Sequence, residues 1–416
     1  MLEKAFPNPG FYGWKIVLLG FLACALSSPG QTFVISLYLE PLMEMLGLER
    51  VAISSVYAVA TLLAALTLPL VGYLADKVSS RLFFVIVFAG MGLALLGLPF
   101  VTGVLTLGLA IYILRMLGQG SIAIGSIRTT ALWFDQHRGR AIAIVGLGFA
   151  FGELVFPGIV QGLIRWLGWR ESLLFFAVLY LVLVAPLISL PMRDPPASTA
   201  EEKPASSPRE TTEATAAIPI IMSVPFWILV IGVSLVPFAL TALIFHQVAL
   251  VESYGWRVEL IPAIFAAFAL LRIGSSYASG LLFERLPSMW NITLSGVFVA
   301  LACGTVVLPL PAMVMALAYG SLLGVAAGIS TAGNAILWPE RYGVAVLGRL
   351  QGTVNAVRNG STAAAPLAAA WLASATESFL AIPLGIAIAA LLAGVLPFIV
   401  WRMDRVRLAR LAGVPT

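Results

Sequence analysis

Long apolar stretches recur along almost the whole chain, and they constrain its fold more than any other feature. Hydrophobic residues fill 60% of the 416 positions and charged residues only 10%, whereas a soluble domain carries about 25% charged residues. A bilayer core offers no partner for open backbone groups, so each apolar stretch of about 20 residues is predicted to be a membrane-spanning helix. The chain is therefore predicted to be an all-α polytopic membrane protein.

Twelve such segments follow one another. The first is too long for the core of a signal peptide and has no small-residue cleavage site, so it is predicted to be retained. The twelve segments run over residues 13–38, 51–75, 81–101, 104–134, 140–165, 169–192, 221–251, 259–283, 288–308, 311–338, 346–374 and 378–401.

A polar stretch separates the sixth segment from the seventh. It reads "RDPPASTAEEKPASSPRETTEATAA", and its Pro, Ser, Thr and Glu content predicts a mobile linker. The predicted organisation is a six-helix bundle at 1–192, a cytoplasmic linker at 193–218, and a second six-helix bundle with a short basic tail at 219–416.

The positions of lysine and arginine predict the orientation. With the N-terminus in the cytoplasm, most of the 24 basic residues fall in cytoplasmic segments, as they do in membrane proteins generally. Both termini are therefore predicted to be cytoplasmic, in a bacterial inner membrane. The net charge of +5 marks the cytoplasmic side and does not indicate a nucleic-acid partner.

The two halves carry the same landmarks. "GYLADKVSSR" begins at Gly72 and "GLLFERL" at Gly280, 208 residues later. A Gly-Arg pair opens the fifth segment and a proline follows within it, and both recur 209 residues later in the eleventh. These are Gly139, Arg140 and Pro157, and then Gly348, Arg349 and Pro366. The coincident spacing predicts a six-helix unit used twice.

Both copies of the loop motif place an acid and a base at a cytoplasmic helix end. The glycine is predicted to let the helix approach its neighbour closely, and Asp76 to cap or pair with a neighbouring helix end. The alternative is a tight turn with a solvated charge pair, which the duplication disfavours. The residues predicted to form this conformational latch are Gly72, Asp76, Lys77, Arg81, Gly280, Glu284 and Arg285.

With these motifs the chain resembles the major facilitator superfamily over essentially its full length. "RMLGQG", which begins at Arg115, is similar to the arginine-glycine motif of helix 4 in that superfamily. "LWFDQHRGRAIAIVGLG", "GWRESLLFF", "FYGWKIV" and "FHQVALVESYGW" resemble the branch that holds bacterial relatives of monocarboxylate transporters and the oxalate:formate antiporter. The resemblance implies two pseudo-symmetric six-helix bundles, alternating access around a midplane site, and a latch role for Arg115.

Three ionisable residues are predicted to lie near the middle of the membrane. Arg272 precedes the cytoplasmic Glu284 by 12 residues, which is about 18 Å of helix. Arg358 and Glu153 lie comparably deep in the eleventh and fifth segments. Two cations against one acid suit an anion, because a guanidinium matches a carboxylate with two hydrogen bonds. The alternative is a structural ion pair, such as Glu153 with Arg272.

The resemblance supports Arg358 more than Arg272. In the oxalate:formate branch a substrate-facing cation follows an arginine and a glycine at the start of helix 11, and Arg349, Gly352 and Arg358 reproduce that spacing with Arg in place of Lys. The branch places its helix 8 arginine at the position of Ser276, one turn from Arg272.

Other polar residues allow two interpretations. Glu153 is a candidate proton carrier or a structural counter-ion, and His246 a titrating group or a hydrogen-bonded wall residue. Arg128 is expected to extend to the membrane surface, and Arg115 is less favoured as a substrate contact. Pro29-Gly30 is predicted to break the first helix and to expose Gln31. The further candidate substrate contacts, or alternatively interhelical hydrogen bonds, are Asn355, Gln119, Tyr57 and Asn334.

These residues favour a secondary transporter of a small mono- or dicarboxylate, working as a monomer in the bilayer by proton symport or anion exchange. The alternative is proton-driven efflux of lipophilic compounds, although Pro157 is not adjacent to Gly152 as the antiporter motif requires. The sequence shows no catalytic set of residues and no phosphate-binding loop, so it does not indicate an enzyme. The two cysteines and two histidines lack metal-ligand spacing, and no cofactor is predicted.

Overall fold

The fold, seen in a computed structural model, is helical throughout the described residues. These are 11–134, 138–195, 219–306, 308–343 and 347–411, with side chains described except at 347–349 and 407–411. Within these ranges there is no β-strand, and eleven helices are long and apolar enough to cross a membrane. The predicted all-α membrane fold is confirmed.

The chain divides into two compact units, Met1–Glu202 and Lys203–Thr416. The stretch predicted to be a mobile linker, 193–218, lies mostly at 196–218, outside the described residues.

Six long helices lie among the described residues of the first unit, besides shorter ones such as Leu39–Leu46. Helix α1 packs against α4 and α5, α2 packs against α4, and α3 packs against α6. Their bounds are α1 Gly13–Gly30, α2 Arg50–Lys77, α3 Ser80–Phe100, α4 Val104–Trp133, α5 Arg138–Leu167 and α6 Trp169–Ser189.

Six long helices also lie among the described residues of the second unit, besides the short helix Gln247–Ser253. Helix α8 lies against α10, α9 against α10 and α12, and α7 against α11. Their bounds are α7 Val224–Phe245, α8 Val258–Leu282, α9 Ser288–Thr305, α10 Ala312–Tyr342, α11 Leu347–Thr376 and α12 Ala381–Val406.

Helix α11 departs from the apolar pattern. It has 30 residues, which is about 45 Å and longer than a bilayer core, yet it is not among the eleven apolar helices of the described residues. The expectation of twelve apolar segments is corrected at this helix, which is present but polar. A polar helix at membrane depth is stable when its polar face contacts protein or water rather than lipid.

A row of glycines joins α8 to α10. A Cβ built at Gly320, Gly324 or Gly328 would lie too close to a backbone carbonyl oxygen of α8. The carbonyl that faces Gly328 belongs to Arg272, with the oxygen 2.6 Å from the built Cβ. Small residues permit this backbone contact, and the contact fixes the rotation of α8 and the depth of Arg272.

The glycines of the two loop motifs do not act this way. A Cβ built at Gly72 or Gly280 would meet no atom within 4 Å among the described residues. The predicted close approach at these glycines is therefore wrong, because the helix ends that carry them are open to their surroundings.

Candidate functional site

Helix α11 is anchored in the second unit by the residues of one face. Leu350 and Val354 are buried in an apolar cluster with Phe226 and Val230 of α7 and with Trp338 of α10. This cluster fixes which residues of α11 face away from the apolar core.

Arg358 lies one turn beyond that anchor. Its side chain is half-buried, and its Nε atom is buried with no hydrogen-bond partner among the described residues. No carboxylate of the described residues forms an ion pair with it. Ser361, three residues later, donates a hydrogen bond to the Arg358 carbonyl at 2.7 Å and to the Ser234 carbonyl of α7 at 3.3 Å. The backbone that carries the guanidinium is therefore fixed to a neighbouring helix.

The other candidate site residues of the second unit each have different neighbours. Arg272 is half-buried, and its guanidinium carbon lies 5.9 Å from the centre of the Phe268 ring. Asn334 accepts a hydrogen bond from the Trp338 indole at 3.0 Å. Its amide oxygen is therefore bonded to another residue of α10. Asn355 is exposed, one turn before Arg358.

His246 interrupts the predicted segment 221–251. Helix α7 ends at Phe245, and a separate short helix begins at Gln247. The imidazole is buried, and its Nε2 hydrogen-bonds to the Pro366 carbonyl of α11 at 2.8 Å. A carbonyl only accepts, so Nε2 is the donor. This geometry supports the reading of His246 as a hydrogen-bonded wall residue.

In the first unit, the predicted break in α1 is present. A tight turn covers Ser28–Gly30, Gln31 is extended, and a short helix resumes at Thr32. The Gln31 amide donates to the Ser27 hydroxyl at 3.2 Å. The break thus lies where the sequence predicted it, and Thr32 is a polar residue there that sequence reasoning missed.

Arg115 and Tyr57 lie beside that break. The Arg115 Nη1 donates to the Gly30 carbonyl at 3.2 Å and to the Thr32 hydroxyl at 3.3 Å. The Thr32 and Tyr57 hydroxyls are hydrogen-bonded at 2.7 Å, and the Arg115 guanidinium carbon lies 5.1 Å from the centre of the Tyr57 ring. Among the other candidates, Glu153 is half-buried on α5 and Gln119 is exposed on α4.

The predicted latch of the first unit includes Arg128, a residue that the sequence analysis did not assign to it. Arg128, which was expected to extend to the membrane surface, donates to the Asp76 carboxylate at 2.8 Å and lies 4.0 Å from Asp194. Asp194 also accepts from the Ser80 backbone amide at 3.1 Å, at the start of α3. The Asp76 side chain is 71% exposed, so this contact is compatible with an extended Arg128 and adds two nearby carboxylates that the sequence did not assign to it.

The remaining latch residues of the first unit lie outside this cluster. Lys77 lies 5.4 Å above the centre of the Tyr73 ring, and Arg81 is exposed.

The second unit builds its corresponding cluster from residues that the sequence reading did not assign. Arg341 pairs with Asp404 at 2.9 Å, and Glu340 accepts from the Ser288 backbone amide at 3.1 Å, at the start of α9. Glu284 and Arg285 of the predicted latch are exposed and form no ion pair with the described residues. The available signal was the spacing, because Ser288 follows Ser80 by 208 positions.

Comparison with known proteins decides the family. A family model described as the Major Facilitator Superfamily matches residues 20–366. The chain belongs to the Major Facilitator Superfamily. This superfamily protein is an integral membrane transporter that works by alternating access.

Solved structures of low identity share this superfamily fold. A bacterial homologue of the human lysosomal transporter Spinster, inward-facing and unoccupied, has a TM-score of 0.78 at 15% identity, covering 95% of this chain and 98% of its own. The nucleoside transporter NupG has a TM-score of 0.74 at 16% identity, covering 94% and 99%.

A sequence relative is the oxalate:formate antiporter of Oxalobacter formigenes. It is 26% identical over 190 residues, which span 45% of this chain and 43% of the antiporter. The match thus covers less than half of the length of either protein.

Proposed function

We propose that this superfamily member transports a small organic anion, a mono- or dicarboxylate, by proton symport or anion exchange. The observation that carries the proposal is the buried Nε atom of Arg358, which has no hydrogen-bond partner among the described residues. A guanidinium at membrane depth costs at least about 3 kcal/mol to place there. Such a group persists when a ligand or partner offsets that cost, and a carboxylate matches its two parallel donors.

The polarity of α11 supports the same conclusion. Asn355 and Arg358 lie one turn apart on a 30-residue helix whose composition sets it apart from the eleven apolar helices of the described residues. Polar groups on one face of a membrane helix mark a route for a polar solute. The Oxalobacter formigenes relative is an oxalate:formate antiporter, and this agrees with that class of cargo.

The orientation belongs to the proposal as well. Both termini are placed in the cytoplasm of a bacterial cell, with the protein monomeric in the inner membrane. The excess of Lys and Arg in the predicted cytoplasmic segments supports this orientation.

Purified protein in proteoliposomes is expected to accumulate radiolabelled carboxylates from a panel of mono- and dicarboxylates. Uptake is measured with and without a pH gradient, and with and without internal carboxylate, so that symport and exchange are separated. Protein-free liposomes are the control. If cationic lipophilic dyes are moved and no carboxylate is, the efflux alternative replaces this function.

Glu153 is the proposed proton carrier. It follows Gly152, where a Cβ would lie 2.8 Å from the Ala25 carbonyl oxygen, so α5 contacts α1 directly just before the break. Carboxyl groups within membrane-spanning helices are the groups that proton relays use. Glu153→Gln is expected to lose uptake driven by a pH gradient and to keep carboxylate exchange.

The matched control for Glu153→Gln is Glu171→Gln, an exposed glutamate at the start of α6, which is expected to keep both activities. Uptake by Glu153→Gln that still follows the pH gradient would remove Glu153 from the coupling step.

A further inference from the structure

We infer that Arg115 forms a second anion-binding site, contained within the first unit, that takes a carboxylate group. The site consists of the Arg115 guanidinium, the Thr32 hydroxyl and the Tyr57 hydroxyl. The inference deepens the proposed function by assigning a further contact for the carboxylate cargo, and it rests on that function only for the identity of the anion.

The charge of Arg115 is buried and not neutralised by the described residues. The side chain is 2% exposed, and its partners are a carbonyl, a hydroxyl and an aromatic ring. Its Nε atom is buried and has no hydrogen-bond partner in the described part of the chain. A guanidinium keeps its proton at any accessible pH, so it cannot relieve the cost of burial by becoming neutral. An anion is the chemistry that offsets this charge.

Two local features shape a cradle around the guanidinium. Residues Arg115–Ser121 form a π-helical turn, a rare widening of the helix that often occurs at functional sites. Gly30 and Gly118 let α1 and α4 touch backbone to backbone, with the Gly118 Cα 2.8 Å from a Cβ built at Gly30. The break in α1 is thereby held against the side of Arg115, and Thr32 is the first residue of the helix that resumes beyond it.

The Thr32 and Tyr57 hydroxyl groups are the second part of the proposed carboxylate site. Either oxygen of the Thr32–Tyr57 hydrogen bond can be the donor, and the Thr32 hydroxyl lies 3.3 Å from the Arg115 Nη1, so this pair of hydroxyls lies next to the guanidinium. A carboxylate bound to the fork of an arginine and to a hydroxyl donor has both of its oxygens engaged. A purely structural clamp would need only the bonds from Nη1 and would leave the buried Nε without a role.

The test measures the thermal unfolding of detergent-solubilised full-length protein during titration with sodium oxalate, sodium formate or sodium chloride at constant ionic strength. An anion that binds only the folded protein raises the unfolding temperature, and above its Kd the rise grows with the logarithm of the anion concentration. Oxalate or formate is expected to raise the unfolding temperature of the wild type, of Arg358→Gln and of the exposed-arginine control Arg140→Gln. Because Arg358 is itself a proposed carboxylate contact, the Arg115 and Thr32 variants are made in the Arg358→Gln protein, and adding Arg115→Gln there is expected to abolish the remaining shift. A shift caused by chloride alone would overturn the assignment to a carboxylate.

Two milder variants keep the inference falsifiable if Arg115→Gln does not fold. Arg115→Lys and Thr32→Val are each expected to weaken the apparent carboxylate affinity about 10-fold or more, the cost of one lost hydrogen bond to a charged group. Wild-type affinity in both variants overturns the site.

The outcomes also separate this site from the proposed function. Carboxylate transport by the wild type, together with a shift that survives Arg115→Gln in the Arg358→Gln background, overturns the site alone. A shift that is lost when Arg115→Gln is added in that background, together with no carboxylate transport by the wild type, supports the site and overturns the transport function.

Discussion

Replacing Arg358 by glutamine is expected to lower carboxylate uptake into proteoliposomes by about 10- to 150-fold. The range follows from the loss of about 1.5–3 kcal/mol when a hydrogen bond between charged groups is removed. Glutamine is shorter than arginine and lacks both its charge and its planar fork of donors, so the change removes the whole proposed anion contact. Because Ser361 and the apolar cluster anchor α11, the helix itself is expected to remain in place.

Arg358→Lys distinguishes charge from geometry at the same position. Lysine keeps the cation but not the planar fork, so an intermediate uptake rate is expected if two-pronged recognition contributes. Lysine is also the residue that the oxalate:formate branch carries at the matching position of helix 11, by the resemblance described above. Activity near the wild-type rate in Arg358→Lys would indicate that a point charge is sufficient.

Arg402→Gln is the control for both Arg358 variants. Arg402 is exposed near the C-terminal end of α12, so its replacement removes the same charge from the protein without touching the site. Uptake by this variant is expected to equal that of the wild type. Wild-type uptake by Arg358→Gln, at equal reconstitution, would contradict the proposed role of the guanidinium.

The helices themselves were readable from the sequence because the bilayer imposes a simple rule. Apolar length decides where a spanning helix lies, and the predicted segments correspond to the observed helices, including the polar α11. Breaks were partly readable: Pro29-Gly30 predicted the interruption of α1, since proline and glycine are its chemical cause. The break at His246 carried no such signal, because no proline or glycine adjoins it.

Contacts between distant residues could not be read in the same way. Arg128 and Asp76 are separated by 52 residues and Arg341 and Asp404 by 63, and their pairing depends on which helix faces meet. The sequence therefore placed Asp76 in a latch without identifying its partner. It also assigned close packing to Gly72 and Gly280, whereas the glycines in tight contact are Gly320, Gly324 and Gly328.

Among the site residues, Arg115 shows most clearly what could not be predicted from the sequence. The sequence placed it within a helix beside a glycine-rich motif, and resemblance assigned it a latch role. Its burial and its contact with the break in α1 depend on α1, α2 and α4 together. Three helices meet at this one guanidinium, and no local sequence pattern predicts such a meeting.

Substitution of Gly324 is expected to destabilise the second unit severely. A Cβ at this position would collide with the Phe268 carbonyl oxygen and lie 3.0 Å from its carbonyl carbon. Those atoms belong to the backbone of α8, so no side chain can move aside, and the helices must separate. Overpacking a tight contact costs about 1–3 kcal/mol, and Gly324→Ala is expected to lower the unfolding temperature by that mechanism.

Gly324→Leu is expected to exceed that range, with little monodisperse protein recovered on gel filtration, because the larger side chain forces α8 and α10 further apart. Gly304→Leu is the matched control, since a Cβ at Gly304 of α9 meets nothing within 4 Å among the described residues. That control is expected to unfold at or near the wild-type temperature. Because the glycine row also fixes the depth of Arg272, any Gly324→Ala protein that folds is expected to transport carboxylates more slowly. A Gly324→Leu protein with wild-type stability would contradict the backbone contact between α8 and α10.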